Sequence, residues 1–184
     1  MIVANCAESP GLGRFLMYDA VVLPALQAMN RAGHLLDVVD ATGRANNLLS
    51  AKLAPDMFDF SMQIRMVPDF ALRATFPLTG RAVPELGHGH DMAALRARLE
   101  ESDALVRGLT EADFDGGADR IIRHRAGDAE LEQTGRDYLQ RFALPNLWFH
   151  LSMAFAILRI AHVPVGKGDF DGLHSYAPGF SFVS

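Results

Sequence analysis

Two hydrogen-bonding side chains, Asn146 and His150, interrupt the apolar run FALPNLWFHLSMAFAILRIAH at Phe142–His162. A neutral imidazole can ligate a metal, accept a proton or hold a hydrogen bond. The spacing of four puts the carboxamide and the imidazole on the same side of a helix, one turn apart. Once buried, each needs a partner, because an unpaired buried polar group costs about 1–3 kcal/mol. Helical metal sites draw a second ligand from i+3 or i+4. Here those positions are Met153 and Ala154, and four residues earlier stands Asn146, so a metal at His150 needs ligands from other helices. Ser152 is two residues from His150, a helical spacing at which side chains do not face each other, which disfavours a Ser–His nucleophile pair.

Carboxylates come from a second segment. Asp56, Asp59 and Gln63 share one face of a helix that Pro55 is expected to open, and Asp69 follows Pro68. The simplest role of these carboxylates is to sit at the positive end of a helix dipole. The chemical alternative is a pocket wall, which makes Asn146, His150, Asp56, Gln63 and Asp69 the ligand-pocket candidates. His88-Gly89-His90 could chelate, but its Gly-rich loop reads as solvent-exposed, and His124, His162 and His174 have no evident partner. Gly166-Lys167-Gly168-Asp169 lacks the remainder of a phosphate loop, and no G-x-S-x-G, H-E-x-x-H or dinucleotide fingerprint occurs.

Four helices are expected to position these groups. The first runs from about Phe15 to Val39, with Tyr18, Val22, Ala25, Met29, Ala32 and Leu36 as its inner stripe. Pro24 should kink it or mark a restarted first turn. After a connector at Asp40–Asn47 and a turn at Asn47–Leu53, the second helix should start at Pro55 with Asp56 and Asp59 in its first turn, and bend or restart near Val67 because of Pro68. The third runs from about Asp91 to Gly108. Arg120–Arg125 and Ala129–Gln133 flank Ala126-Gly127-Asp128 as a small hairpin or loose crossover, and Thr134 caps the fourth helix. That helix is apolar on nearly every face, so it belongs at the centre of the assembly. The fold class is all-α, a four-helix bundle with one long crossover before the last helix. The expected divisions are an irregular lead-in over 1–14, the bundle over 15–172 and a tail over 173–184. The aromatic tail cannot pack on itself and should lie on the bundle or on a neighbouring subunit.

A chain of 184 residues fits one domain and can bury about 70% of its unfolded surface, enough to fold without metal or disulfide. A net charge of −5 argues against nucleic-acid binding, although Asp119–Arg125 (DRIIRHR) is locally basic. Cys6, the single cysteine, can form no internal disulfide. Met1–Gly13 lacks a basic start and a continuous apolar run, so no secretory signal is expected. The Phe142–His162 run is long enough to cross a membrane, but Pro145, Asn146, His150 and Arg159 would be costly in hydrocarbon. A cytoplasmic protein with no membrane contact is the consistent expectation.

Two blocks carry a family resemblance. One is LAPDMF at Leu53–Phe58, followed by Gln63 and Asp69-Phe70. The other is FALPNLWFHLSMAFAILR at Phe142–Arg159, followed by VPVGKGDF at Val163–Phe170. Together they resemble an uncharacterised bacterial family, DUF1993 (domain of unknown function nineteen ninety-three), placed among the DinB-like helical bundles. The resemblance covers about Met17 to Gly172. It implies the four-helix topology with one crossover, and frequent homodimers. The wider group commonly holds a metal with one His on the second helix and a His-x-x-x-His pair on the fourth. This chain departs from that pattern: its second helix has no His, and Ala154 stands four residues after His150. His162 also stands where a Gly usually ends the fourth helix.

The reading that follows is a metal-free, cofactor-free homodimer that binds a small ligand or partner in a pocket near His150. Two other readings stay open. One is a metal-dependent hydrolase or transferase of DinB-like type; the other is a protein whose apolar patches only hold a dimer together.

Overall fold

Helix formation follows the apolar spacing almost everywhere. The computed structural model describes residues 12–177 and 180, with side chains from position 17 onward. Seven α-helices and one hairpin are found among these residues: α1 Leu12–Ala41, α2 Ala45–Leu49, α3 Phe60–Thr75, α4 Met92–Arg107, β1 Ile121–Ala126, β2 Ala129–Thr134, α5 Gly135–Tyr138, α6 Leu144–Ile160 and α7 Lys167–Asp171. The long pair α1 and α3 pack together, and both α4 and α6 pack against each of them. The fold is mostly helical with one two-stranded sheet.

The anticipated stripe of α1 is buried at Val22, Ala25, Met29, Ala32 and Leu36, with Leu35 and Val39 added. α1 continues through Pro24 without restarting, and α3 likewise passes through Pro68. A missing N–H removes one ladder hydrogen bond, and burial of both flanks outweighs that loss: Val67, Pro68 and Phe70 of α3 are all buried. α3 begins five residues later than Pro55 suggests. Asp59 is its N-cap, accepting the Met62 N–H at 2.9 Å. The capping carboxylate thus competes successfully with the preceding proline for the helix start. Residues 53–57 form turns, so Asp56 lies outside the helix and is exposed.

β1 and β2 pair antiparallel from Ile121↔Thr134 to Ala126↔Ala129. The two-residue loop between them puts Gly127 at a φ of 61°, as the first position of such a loop requires. Thr134 then caps α5 by accepting the Asp137 N–H at 3.2 Å. A π-helical turn at Leu139–Ala143 joins α5 to α6, making one helix from Gly135 to Ile160. By length and composition alone this helix could cross a membrane. Its Leu147, His150, Leu151, Ala154, Ile157 and Leu158 are buried, and it packs against α3 and α1.

The lead-in expected over 1–14 falls on residues that lie outside the described set up to position 11, and α1 is already helical at Leu12. Cys6 lies outside the described residues too. In the tail, the Phe180 N–H bonds the Ala177 carbonyl at 3.1 Å, and the rings of Tyr176 and Phe180 stack at 4.7 Å with His174 beyond them. Among the described tail residues, Tyr176 and Phe180 do pack on each other, contrary to the expectation that the tail cannot pack on itself.

Candidate functional site

His150 is 7% exposed and lies on the inner face of α6. Its Nδ1 is 2.8 Å from Oε1 of Gln63, a buried side chain on α3. The Gln63 amide NH₂ points to the Phe58 carbonyl at 3.5 Å. Its oxygen therefore faces the imidazole, and Nδ1–H is the donor. Phe58 and Phe70 stack on the imidazole at centroid distances of 6.4 and 5.4 Å, and Phe149 meets it edge-on at 5.2 Å. Burial among these rings pushes the His150 pKa down to about 4, so the ring is neutral at physiological pH. One hydrogen bond in an apolar enclosure thus fastens α6 to α3.

The other sequence candidates separate from it. The Asn146 amide donates to the Phe142 carbonyl of its own helix at 2.7 Å. That local bond turns the amide back along its own helix rather than toward His150. Asp56 is exposed in the turn before α3. Asp69 faces away from the imidazole site and forms an ion pair with Arg98 of α4. Of the five candidates, only Gln63 and His150 come together.

The His150 site therefore offers one imidazole and one carboxamide to a metal. A carboxamide oxygen is a weak transition-metal ligand, and here it is already occupied by the imidazole N–H. Among the described residues no three His, Cys, Asp or Glu side chains converge on a common point. The donor set does not fit a resident metal.

A larger feature lies one ring away. Phe70 touches both His150 and Phe142, the latter at 5.8 Å. Phe142 lines a cleft of about 600 Å³ between α3, α4, the loop after α3 and the hairpin. Its apolar wall includes Val83, Leu86 and Ile122, while Tyr138 and His124 stand beside Phe142. His124 Nε2 is 2.7 Å from Gln133 Oε1, and its buried Nδ1 has no hydrogen-bond partner among the described residues. The Tyr138 hydroxyl donates to the Arg73 carbonyl at 3.0 Å, and burial raises its pKa to about 12, so it stays a neutral donor.

Five arginines line the same cleft: Arg65, Arg73, Arg81, Arg98 and Arg123. Arg98 is 4% exposed and clamps the cleft from α4, donating to Asp69 and to the Gly87 carbonyl. Its pKa lies below the ordinary guanidinium value, through burial first and with Arg65 repelling it as well. His88 and His90 are not free loop residues: their ring nitrogens meet the Arg65 guanidinium at 3.0 and 3.1 Å.

The sequence reading did not find this cleft. The signal was present, because Arg65, Asp69 and Arg73 recur at steps of four and therefore share one face of a helix. Scattered arginines are hard to assemble by eye when their partners come from a loop and a hairpin far along the chain.

A mostly helical bundle with one two-stranded hairpin, its α6 tied to α3 through His150 and Gln63, defines a DinB-like protein. Residues 17–171 match the family described as Domain of unknown function (DUF1993), and the chain belongs to that family. A crystal structure of a DinB family member protein from Shewanella denitrificans is similar, with a TM-score of 0.79 and 28% identity over 90% of this chain and 97% of that one. No curated protein matches.

Proposed function

We propose that this chain is a homodimer that binds a small molecule without a metal, in the cleft beside Phe142. The cleft supports this reading: about 600 Å³ is the size of a small-molecule site, and it combines an apolar wall with convergent polar groups. It lies near His150, separated from it by Phe70. His150 then supports the cleft wall through Phe70 and does no chemistry itself. Dimerisation is supported by large apolar side chains left outside the bundle, Leu23 (58% exposed) on α1 with Phe149 (48%) and Ile160 (58%) on α6. A hollow of about 290 Å³ at Ser152, Phe155, Lys167 and Phe170 flanks the outer side of α6.

Fluorescence titration with the neutral dye N-phenyl-1-naphthylamine tests the cleft. Saturable binding should survive EDTA and be lost when Val83→Trp fills the space. Dye binding that needs added metal, or that ignores the tryptophan, overturns the reading. Sedimentation tests the dimer, with Phe149→Asp expected to give monomer.

A further inference from the structure

The charges of the cleft do not balance, and the imbalance is local. Five guanidinium groups face two lining carboxylates, Asp69 and Glu85, in a chain whose net charge is −5. Three of the five are accounted for by Arg98 with Asp69, Arg81 with Asp113, and Arg123 with Glu132. Arg65 and Arg73 have no carboxylate partner among the described residues. The hydrogen-bond acceptors of Arg65 are two imidazoles, which take one N–H from each terminal nitrogen without cancelling its charge, and its Nε is buried with no hydrogen-bond partner among the described residues. Arg73 is exposed, with its guanidinium 5.5 Å from the Phe70 ring centre. Glu85 is exposed and has no ion-pair partner among the described residues, so set against the two charges of Arg65 and Arg73 it leaves the cleft with one positive charge in excess. For the half-buried Arg65, a charge with no counter-ion is unfavourable unless something else supplies the negative charge, and the exposed Arg73 is free to help bind it. The two arginines stand eight residues apart on one helix face, about 12 Å along its axis. Between them Asp69 is already taken by Arg98.

We infer that the ligand of this cleft is a small organic oxyanion, a carboxylate or phosphate ester whose charged end is gripped by Arg65 and Arg73 and whose apolar body lies against Val83, Leu86 and Ile122. This rests on the cleft being the binding site. Guanidinium forks match both carboxylate and phosphate oxygens in two-point geometry. A polyanion is disfavoured, since a net charge of −5 repels an extended phosphate backbone outside the cleft.

Calorimetric titration of the full chain with phenyl phosphate, phenylacetate and benzyl alcohol separates the possibilities. At least one of the two anions should bind at least about tenfold tighter than the neutral alcohol, and whichever anion is tighter identifies the source of the charge. Arg73→Gln, at an exposed position with no ion pair to lose, should weaken the anion about tenfold and leave the alcohol unchanged, with Arg73→Lys intermediate. Equal affinity for anion and alcohol sinks the oxyanion assignment while the small-molecule site stands. Failure of all three probes at millimolar concentration, together with an unchanged N-phenyl-1-naphthylamine response in Val83→Trp, removes both. Tighter binding of a single-stranded oligonucleotide, lost in Arg73→Gln and falling steeply with salt, would assign the arginines to a nucleic-acid backbone instead.

Discussion

His150 carries the clearest single-residue prediction. Its folded pKa of about 4 lies below the unfolded 6.5, so the unfolded chain takes up the proton first as the medium is acidified. Stability from the neutral ring is complete above pH 6.5 and drains away between 6.5 and about 4. The gap corresponds to about 3 kcal/mol. His150→Gln breaks a buried hydrogen bond and should lower stability at pH 7.5 by about 1–3 kcal/mol. It should also flatten the acid decline relative to wild type, by about the amount the imidazole contributed. Denaturant unfolding at a series of pH values measures both, and parallel curves for the two proteins would refute the buried neutral ring. His150 was visible in the sequence because a lone imidazole in an apolar helix has to be explained. Its partner Gln63 was also on the candidate face, although the helix carrying it starts later than Pro55 suggests. Asn146 does not join that pair, because its amide donates to its own backbone carbonyl four residues back.

The end of α6 makes a prediction about an element. His162 takes a left-handed φ of 59°, and the Val163 N–H closes the helix onto the Leu158 carbonyl at 2.9 Å. That six-to-one bond belongs to the Schellman ending, in which Gly is favoured because it has no Cβ to strain. The His162 side chain is exposed and forms no hydrogen bond among the described residues. His162→Gly should therefore stabilise the protein by about 0.5–1 kcal/mol, a rise of about 2 °C in Tm by calorimetry. A lower Tm would mean that the imidazole holds something in place. Helix stripes and the hairpin were legible because each rests on short-range periodicity or turn chemistry, whereas this ending was marked only by the family resemblance, in which a Gly usually stands in place of His162. The start of α3 was not legible, because Asp59 as a cap and Pro55 as an opener are equally good local signals.

On the scale of the molecule, the hairpin is docked by close backbone contact. The Gly135 N–H donates to the Arg120 carbonyl at 2.8 Å, and a Cβ at Gly135 would collide with the Gly117 carbonyl oxygen and press on Leu78. Gly135→Ala should cost at least about 1–3 kcal/mol and loosen the hairpin side of the cleft. Hydrogen exchange should show faster amides across residues 121–134; unchanged protection would mean that the backbone there gives way easily. This long-range approach is invisible in sequence, where Gly135 reads as an ordinary residue after a cap. The arginine cleft was equally hidden, since it exists only once α3, α4, a loop and a hairpin converge.

The π turn at Leu139–Ala143 has a bearing on how such a cleft can arise. It holds one residue more than an α-helix needs for its length, and each residue turns the chain by about 100° about the axis. Tyr138 and the hairpin are therefore aimed independently of Leu147 and His150 below them. Loss of a single codon at Gln140 would leave the lower half seated while swinging the upper half a quarter-turn aside. A frame-preserving deletion too small to disturb the core could thus erase the arginine pocket in one event, and an insertion could as readily have opened it.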